Sequence, residues 1–368
     1  MTEVLSEQPH DLRRIDISPD YWYPVAWSED LKAGKAIGRN FSGQPVVLVR
    51  PKRGPVYALE DKCAHRQVPL SEGVVEGGTI KCGYHGWAYS RTGDCEDIPY
   101  LGKDENQKRI PNCVRPYPCI EAGGMIFIFP GDPEKARTTP LPELAQVGNR
   151  AFKTRRFDPS VKCHYTFMHE NLMDMNHQFL HRRQMGKIRA RYLGGDQGEG
   201  YVEARYSFAR VGSEGQPLAE RLIFGKHKYD PSKPQPVEEV VTIRTSYPYQ
   251  SLHIHDKDGD LIMQLFAVYV PDSGDGQSCQ TFGLLSVLRP KVPFVLDLIW
   301  PVLGVFTNRI FHEDKDIVEM EQKAWNMQGG DRNIEVFPIV KKLRHLLRSG
   351  GIPHKGGVQT MYPVPQET

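Results

Sequence analysis

The chain has 368 residues, of which 47 are basic and 45 acidic, so its formal net charge at pH 7 is +2. This balance gives no sign of the strongly basic surface that is typical of nucleic-acid-binding proteins. Because domains usually contain roughly 100–200 residues, the length predicts two domains.

Residues 1–20 mix acidic, basic and polar side chains and contain no apolar run of the kind found in a signal peptide. We therefore expect a flexible N-terminal segment, followed by a first domain over residues 21–140. Seven cysteines in a chain of this length do not form a disulfide framework, which favours a reducing cytoplasm.

Residues 41–131 predict short strands separated by turns rich in Gly and Pro. Their β-branched and aromatic content is typical of strands, so we expect a small all-β domain. The clearest predicted strands are residues 46–49, 56–59, 79–81 and 125–129. A stretch rich in Pro, Gly and charge, residues 131–142, is the best candidate linker.

Residues 141–368 predict a second domain of mixed type. Predicted strands are residues 201–209, 240–245, 261–269 and 281–287, and predicted helices are residues 163–181, 311–325 and 339–347. The whole chain is therefore predicted to be α+β, with an N-terminal all-β domain followed by an antiparallel sheet covered by helices.

The longest apolar stretch, residues 292–306, contains Asp297 and two prolines. A membrane-spanning helix needs about 20 apolar residues. This stretch is shorter, so it predicts a buried helix or a pocket wall and no stable membrane span.

Two loops of the first domain each offer one cysteine and one histidine. Cys63 and His65 lie two residues apart, and Cys82 and His85 lie three apart. A single zinc ion could take this set, although zinc fingers pair cysteine with cysteine and histidine with histidine. One of each per loop suits a binuclear cluster in which both thiolates bind one iron and both imidazoles bind the other.

The pattern C-x-H-x16-C-x-x-H, with Arg66 after the first histidine and Gly86 and Trp87 after the second, resembles the Rieske domain of ring-hydroxylating oxygenases. The resemblance implies that the two cysteines and two histidines bind a Rieske [2Fe–2S] cluster. Mononuclear zinc is the alternative.

A second group of candidate ligands lies in the predicted helix 163–181. His177 and His181 are four residues apart, which places both imidazoles on one face of a helix, and Asp174 lies one turn earlier. Without further information, two partly buried structural histidines would explain this pattern equally well.

The catalytic domain of Rieske oxygenases carries a similar segment, with Asn, Asp-x-x-His and a second His. By this resemblance His177 and His181 bind a mononuclear iron(II), and Asp174 is the carboxylate that connects the iron to the Rieske cluster. Many members have four residues between the histidines, whereas this chain has three. In the common register the second ligand would fall on Arg182, which cannot bind a cation.

Two histidines leave a 2-His-1-carboxylate site one ligand short. The family places its carboxylate in a comparable Glu-Asp segment at the start of the C-terminal helix, and Asp314 matches that position best. Asp316 and Glu313 are the alternatives. An acidic helix start is also favourable without any metal.

The resemblance implies a terminal oxygenase component that uses O2 and electrons from NAD(P)H. The chain has no Gly-x-Gly-x-x-Gly dinucleotide fingerprint between a strand and a helix, so a separate flavin and ferredoxin-type reductase is the expected partner. It also implies a homotrimer in which Asp174 of one subunit lies near His85 of a neighbour.

The expected reaction is hydroxylation or oxidative demethylation of a small, aromatic or cyclic organic substrate, with residues 200–310 shaping its pocket. An arene cis-dihydroxylating dioxygenase is the alternative enzyme. A Rieske electron-transfer protein is the non-enzyme alternative, but it leaves the histidine pair in the second domain unexplained.

Overall fold

The computed structural model describes residues 11–101, 110–111, 113–144, 146–210 and 239–354. The chain divides into two compact units. The first, which we call the N-terminal unit, comprises Ile17–Glu143, Val270–Gly276 and His354–Thr368. The second, the C-terminal unit, comprises Met1–Asp16, Leu144–Tyr269 and Gln277–Pro353.

The first described residues belong to the C-terminal unit. A 3-10 helix, Leu12–Arg14, leads into strand β1 (Ile15–Asp16), which pairs antiparallel with the strand Ile352–Pro353. Leu12 and Ile15 are fully buried. The polar composition of residues 1–20 did not predict this ordered structure, and residues 1–10 lie outside the described residues.

The N-terminal unit is built from three sheets, ordered β10-β5-β4-β3, β11-β12-β2 and β6-β7-β8-β9. Its strands are β2 (Tyr23–Trp27), β3 (Lys35–Phe41), β4 (Gln44–Arg50), β5 (Tyr57–Glu60), β6 (Val74–Glu76), β7 (Thr79–Lys81), β8 (Ala88–Tyr89), β9 (Cys95–Asp97), β10 (Pro116–Tyr117), β11 (Cys119–Ala122) and β12 (Met125–Ile128). Its 3-10 helices are Ser28–Asp30, Leu70–Glu72 and Lys135–Arg137.

One hydrophobic core of the N-terminal unit contains the two candidate cysteine ligands. Val47 and Leu59 from the sheet β10-β5-β4-β3 and Ile80 from β7 are fully buried, and they belong to the same cluster as Cys63 and Cys82. The cysteines therefore lie between two sheets, in loops whose ends are fixed by packed strands.

The C-terminal unit contains an eight-stranded sheet ordered β13-β20-β19-β18-β17-β16-β15, with β14 paired to β20. Its strands are β13 (Phe152–Phe157), β14 (Ser160–Val161), β15 (Ile188–Gly198), β16 (Tyr201–Arg210), β17 (Val240–Ser246), β18 (Tyr249–His255), β19 (Leu261–Pro271) and β20 (Cys279–Leu288), with β21 (Ile352–Pro353) pairing β1. Its helices are α1 (Tyr165–Met173), α2 (Arg182–Met185), α3 (Val295–Gln328) and α4 (Pro338–Gly350), with a 3-10 helix over Met175–Phe179.

The predicted fold class is confirmed: an all-β N-terminal part precedes an antiparallel sheet that α1 and α4 contact. Each strand predicted from the sequence coincides with an observed strand, and the ends of the two agree within two residues. Strand β15 was not predicted, because its glycines and charged residues lack a strand-like pattern.

The predicted continuous helix over residues 163–181 is wrong. Helix α1 ends at Met173, and Asp174 leaves the helical conformation with φ −91° and ψ 86°. The Asp174 side chain accepts a hydrogen bond from the N–H of Asn176 and so caps the 3-10 helix Met175–Phe179. Aspartate competes with helical hydrogen bonds in this way, which explains why the helix breaks here.

Helix α3 is much longer than the predicted helix 311–325, because it begins at Val295 and contains Pro301. The expectation that residues 292–306 are buried holds only for part of the helix. Leu296 and Leu303 are buried, whereas Phe294 and Leu298 are 82% and 81% exposed. Within the described part of the chain, no helix is long and apolar enough to cross a membrane.

His169 on α1 is completely buried, and among the described residues neither of its ring nitrogens has a hydrogen-bond partner. Its ring packs edge-on against the ring of Tyr269, with the centroids 4.9 Å apart. Burial lowers the pKa of His169 to about 3. Its ordinary value in an unfolded chain is about 6.5, so below that pH the unfolded state binds a proton that the folded state excludes.

We predict that replacing this histidine will reduce the acid sensitivity of the fold. Between pH 7 and pH 5 the wild-type free energy of unfolding should fall by about 2 kcal/mol more than that of His169→Phe, because only the wild type has this titrating group. Denaturant unfolding at both pH values measures the difference. Equal losses in the two proteins would contradict the assignment of a buried neutral histidine.

Candidate functional site: two metal-ligand sets

The loop after β5 carries the first pair of candidate ligands. The N–H of Cys63 donates to the carbonyl of Val68 (2.9 Å), and the N–H of Gln67 donates to the carbonyl of Cys63 (2.8 Å). Gln67 has φ +59°, a left-handed conformation that closes the turn. His65 lies inside this closed turn.

The loop between β7 and β8 closes with the same hydrogen bonds. The N–H of Cys82 donates to the carbonyl of Trp87 (2.9 Å), and the N–H of Gly86 donates to the carbonyl of Cys82 (3.0 Å). Gly86 takes the left-handed conformation, with φ +72°. A Cβ there would lie 3.1 Å from Cγ of Pro99, so glycine suits both the turn and the close approach. The two loops therefore have the same turn conformation.

The four ligand side chains cluster and leave metal-binding atoms unpaired. Cys63 and Cys82 are 2% and 4% exposed, and the ring centroids of His65 and His85 lie 4.7 Å apart. The Nδ1 atom of each histidine is buried with no hydrogen-bond partner among the described residues. Leaving such an atom unpaired costs about 1–3 kcal/mol, so the chemistry of this set fits a metal cluster.

Burial raises the pKa of the Cys82 thiol, and the neighbouring Cys63 raises it further, whereas backbone N–H groups of Tyr84 and His85 lower it. In the thiolate form that binds a metal, two such groups in an apolar core need a cation to balance their charge. The two predicted Cys–His pairs are therefore brought together in an environment that suits metal ligands.

One residue beside this set, Tyr89, escaped the sequence analysis. The Tyr89 hydroxyl accepts a hydrogen bond from the N–H of Ala64 (3.1 Å) and lies 3.2 Å from Sγ of Cys63. Its own hydrogen can therefore point to the sulfur. The Trp87 ring stacks on His65 with centroids 5.0 Å apart. Trp87 ends the second loop, and Tyr89 lies in strand β8 directly after it, which is the signal that could have found Tyr89.

The second set lies in the C-terminal unit and contains His177, His181 and Asp314. One ligand atom from each lies within 4.8 Å of the others. Asp314 Oδ1 is 3.2 Å from Nε2 of His181 and 3.7 Å from Nε2 of His177. This oxygen is buried, yet neither contact has the geometry of a hydrogen bond, and Oδ1 has no other partner among the described residues. A metal ion fits between the three atoms.

The Nδ1 atoms of the two histidines contact different groups. Nδ1 of His177 lies 2.6 Å from the backbone carbonyl of Asp174, and Nδ1 of His181 lies 2.9 Å from Oε2 of Glu313. Both contacts require a proton on Nδ1, which leaves the Nε2 lone pairs available to a metal. Burial alone lowers the pKa of His181, but the contacts with Asp314 and Glu313 outweigh burial and raise it above the ordinary value.

The other candidates take different positions. Asp316, two residues after Asp314 on α3, is exposed and is not part of the three-ligand group. Glu313 contacts His181 from the opposite ring edge. The backbone carbonyl of Asp174 contacts His177. The carboxylate of Asp174 accepts hydrogen bonds from the backbone N–H (3.0 Å) and the side-chain amide (2.7 Å) of Asn176.

A small cavity of about 40 Å³ adjoins the second set. It is mostly apolar, and among its lining residues Thr281 has a buried hydroxyl with no hydrogen-bond partner in the described chain. Its lining residues are Phe157, Pro159, Val161, Met168, Asn171, Leu172, Leu265, Ala267, Tyr269, Thr281, Phe311, Asp314 and Lys315. Ligand pockets are usually roughly 300–1,000 Å³, so a cyclic substrate would require this cavity to widen. Part of the predicted pocket region, residues 211–238, lies outside the described residues.

Comparisons with known proteins agree with the two ligand sets. The Rieske [2Fe-2S] domain family matches residues 21–118, and the family of vanillate O-demethylase oxygenase C-terminal domains matches residues 161–338. The first match covers all four ligands of the N-terminal set. The second covers the two histidines and the aspartate of the C-terminal set.

Similar proteins match over most of the chain. A 4beta-methylsterol monooxygenase of Methylococcus capsulatus is 31% identical over 91% of this chain and 89% of its own length. The vanillate O-demethylase oxygenase subunit of a Pseudomonas strain is 25% identical over 94% of this chain and 95% of its own. The crystal structure of dicamba monooxygenase bound to dicamba aligns with a TM-score of 0.71 at 23% identity, covering 90% of this chain and 98% of that one, which shows a shared fold.

We predict that Asp314→Ala will lose the metal of the C-terminal set and keep the metal of the N-terminal set. Asp316→Ala, an exposed neighbour on the same helix, serves as the matched control and should keep both. Metal analysis should give about three iron atoms per chain for the wild type and the control, and about two for Asp314→Ala. If Asp316→Ala lost this iron and Asp314→Ala kept it, the carboxylate ligand would be Asp316.

Proposed function

Because this chain belongs to the Rieske non-haem iron oxygenases, we propose that it is a terminal oxygenase component that hydroxylates or oxidatively demethylates a small cyclic organic substrate. Its relatives include proteins named for methylsterol monooxygenation and for vanillate O-demethylation. Both names point to a cyclic substrate that carries a methyl group. We expect the same class of substrate here.

One observation carries this proposal: the chain holds two metal-ligand sets with unpaired, buried ligand atoms. The N-terminal set leaves Nδ1 of His65 and His85 unpaired, and the C-terminal set leaves Oδ1 of Asp314 unpaired. We assign Cys63 and Cys82 with the two histidines to a Rieske [2Fe–2S] cluster. A pure electron carrier needs only this first set.

We assign His177, His181 and Asp314 to a mononuclear iron(II). We place the Rieske domain at residues 21–140 and the catalytic domain at residues 141–368, which the family matches over 21–118 and 161–338 support. When bound, the iron supplies the activation of dioxygen and the cluster supplies single electrons for it.

The chain's own residues prepare the C-terminal set for this chemistry. The Asp174 carbonyl and the Glu313 carboxylate hold the two imidazoles by their Nδ1 atoms, so each ring presents Nε2. The His181 side chain is only 5% exposed, so water has little access to its ring. The mostly apolar cavity beside Asp314 is the place where the ring of a substrate would lie once the cavity widens.

We further propose that a flavin and ferredoxin-type reductase delivers the electrons from NAD(P)H, and that the chain assembles as a homotrimer in the cytoplasm. The seven free cysteines are consistent with a reducing compartment. Two exposed aromatic residues support assembly through the metal-bearing loops. Tyr84, between Cys82 and His85, is 61% exposed, and Phe179, in the segment that carries the iron ligands, is 71% exposed. Exposed aromatic side chains are typical of contact surfaces.

The direct test is turnover by the iron-loaded protein with a surrogate reductase, NADH and O2. We predict formaldehyde from at least one methyl ether or methylamine, or an alcohol from a methylated ring, in a panel of cyclic substrates. Asp314→Ala should lose turnover and Asp316→Ala should keep it. Arene cis-diols as the product would favour the dihydroxylating alternative. Reduction of the cluster with no oxygenated product from any substrate would favour an electron carrier.

We propose that Asp174 connects the two metal sites of neighbouring subunits. Asp174→Asn keeps an oxygen that can cap Asn176, so the 3-10 helix should survive, but it removes the charge. We expect both metals to be retained while product formed per NADH consumed falls at least tenfold. Metal analysis and product-to-NADH ratios measure this, with Asp316→Asn as the control. Normal coupling in Asp174→Asn would rule out the connecting role.

A further inference from the structure

Two consecutive residues of helix α3 contact opposite edges of one imidazole ring. Glu313 Oε2 lies 2.9 Å from Nδ1 of His181, and Asp314 Oδ1 lies 3.2 Å from Nε2 of the same ring. The His181 side chain is 5% exposed, and the carboxylates of Glu313 and Asp314 are 23% and 16% exposed. The ring is therefore enclosed between two largely buried acidic side chains.

The other histidine of the set is held differently. Nδ1 of His177 contacts a neutral group, the backbone carbonyl of Asp174, at 2.6 Å. Only His181 donates to a carboxylate. Hydrogen bonds to charged acceptors are roughly twice as strong as neutral ones. The two imidazoles are thus unequal ligands, although their residue type is the same.

The position of Glu313 separates it from the metal ligands. The Nδ1 N–H and the Nε2 lone pair of His181 point away from each other across the ring, and Glu313 contacts the Nδ1 edge. The three ligand atoms that converge come from His177, His181 and Asp314. A carboxylate that accepts the proton of a ligand histidine fixes which nitrogen carries the lone pair, fixes the ring orientation and makes the ring more basic.

We propose that Glu313 is a positioning residue that holds His181 in its metal-binding tautomer and orientation and strengthens it as a ligand. This inference rests on the proposed function only in taking the C-terminal set as a metal site. The formal charge supports it: the carboxylates of Glu313 and Asp314 together carry −2, which balances a divalent cation beside two neutral imidazoles. A site that lacks Glu313 would hold the same ion with one uncompensated positive charge.

The test measures Co(II) binding to the full-length protein that carries its cluster but has been depleted of mononuclear iron. We expect Glu313→Ala to weaken Co(II) affinity by about 10–100-fold, the range found when such a carboxylate partner is removed. Glu313→Gln should lie between the wild type and Glu313→Ala, because its amide oxygen still accepts from Nδ1 but carries no charge. The cluster's visible absorption should be unchanged in each variant.

Asp316→Asn is the matched control, since it removes an exposed carboxylate from the same helix and should bind Co(II) like the wild type. Unaltered affinity in Glu313→Ala would overturn the proposal. Loss of binding as complete as in Asp314→Ala, with no rescue in Glu313→Gln, would also overturn it, by making Glu313 a direct ligand. If Asp314→Ala itself bound Co(II) normally, the assignment of the metal site would fail, and that result is distinct from a failure confined to Glu313.

Discussion

The C-terminal site depends on one buried carboxylate oxygen that has no hydrogen-bond partner among the described residues. Oδ1 of Asp314 lies within 3.7 Å of two histidine Nε2 atoms, and a neutral imidazole with its proton on Nδ1 cannot donate to that oxygen. Burying an uncompensated charge is costly, and proteins neutralise it by pairing or by metal coordination. A metal ion bound here would balance that charge, and the surrounding elements hold these three groups near one another.

The N-terminal site also buries metal-binding atoms that lack hydrogen-bond partners, but it positions them with loops and not with helices. Two loops from different strands repeat one turn, with the cysteine at its start and a left-handed residue, Gln67 or Gly86, four positions later. The repeated turn brings two thiols and two imidazoles together without a helix. Packed strands fix both ends of each loop, so the ligand geometry depends on the same apolar core that buries the cysteines.

Much of this organisation could be predicted from the sequence, because short-range patterns specify it. The β-branched runs predicted the strands, and the spacing of cysteine and histidine predicted the first ligand set. The break at Asp174 could not be predicted from periodicity, since it depends on a local side-chain hydrogen bond that competes with the helix. The contact of Glu313 with His181 joins residues 132 positions apart, and on it rests our proposal that Glu313 supports a ligand instead of being one. Sequence spacing carries no information about such a contact.

The break between helix α1 and the 3-10 helix also determines how the two histidine rings meet. On a regular α-helix, residues four apart lie above one another on the same face, which favours roughly parallel side chains. Here His177 lies in a 3-10 helix and His181 follows it, at the start of α2. The two rings cross at 84° with centroids 5.1 Å apart. Lone pairs of crossed rings can converge on one point beside Asp314, so the two histidines form a ligand pair here without the continuous helix that their spacing predicted.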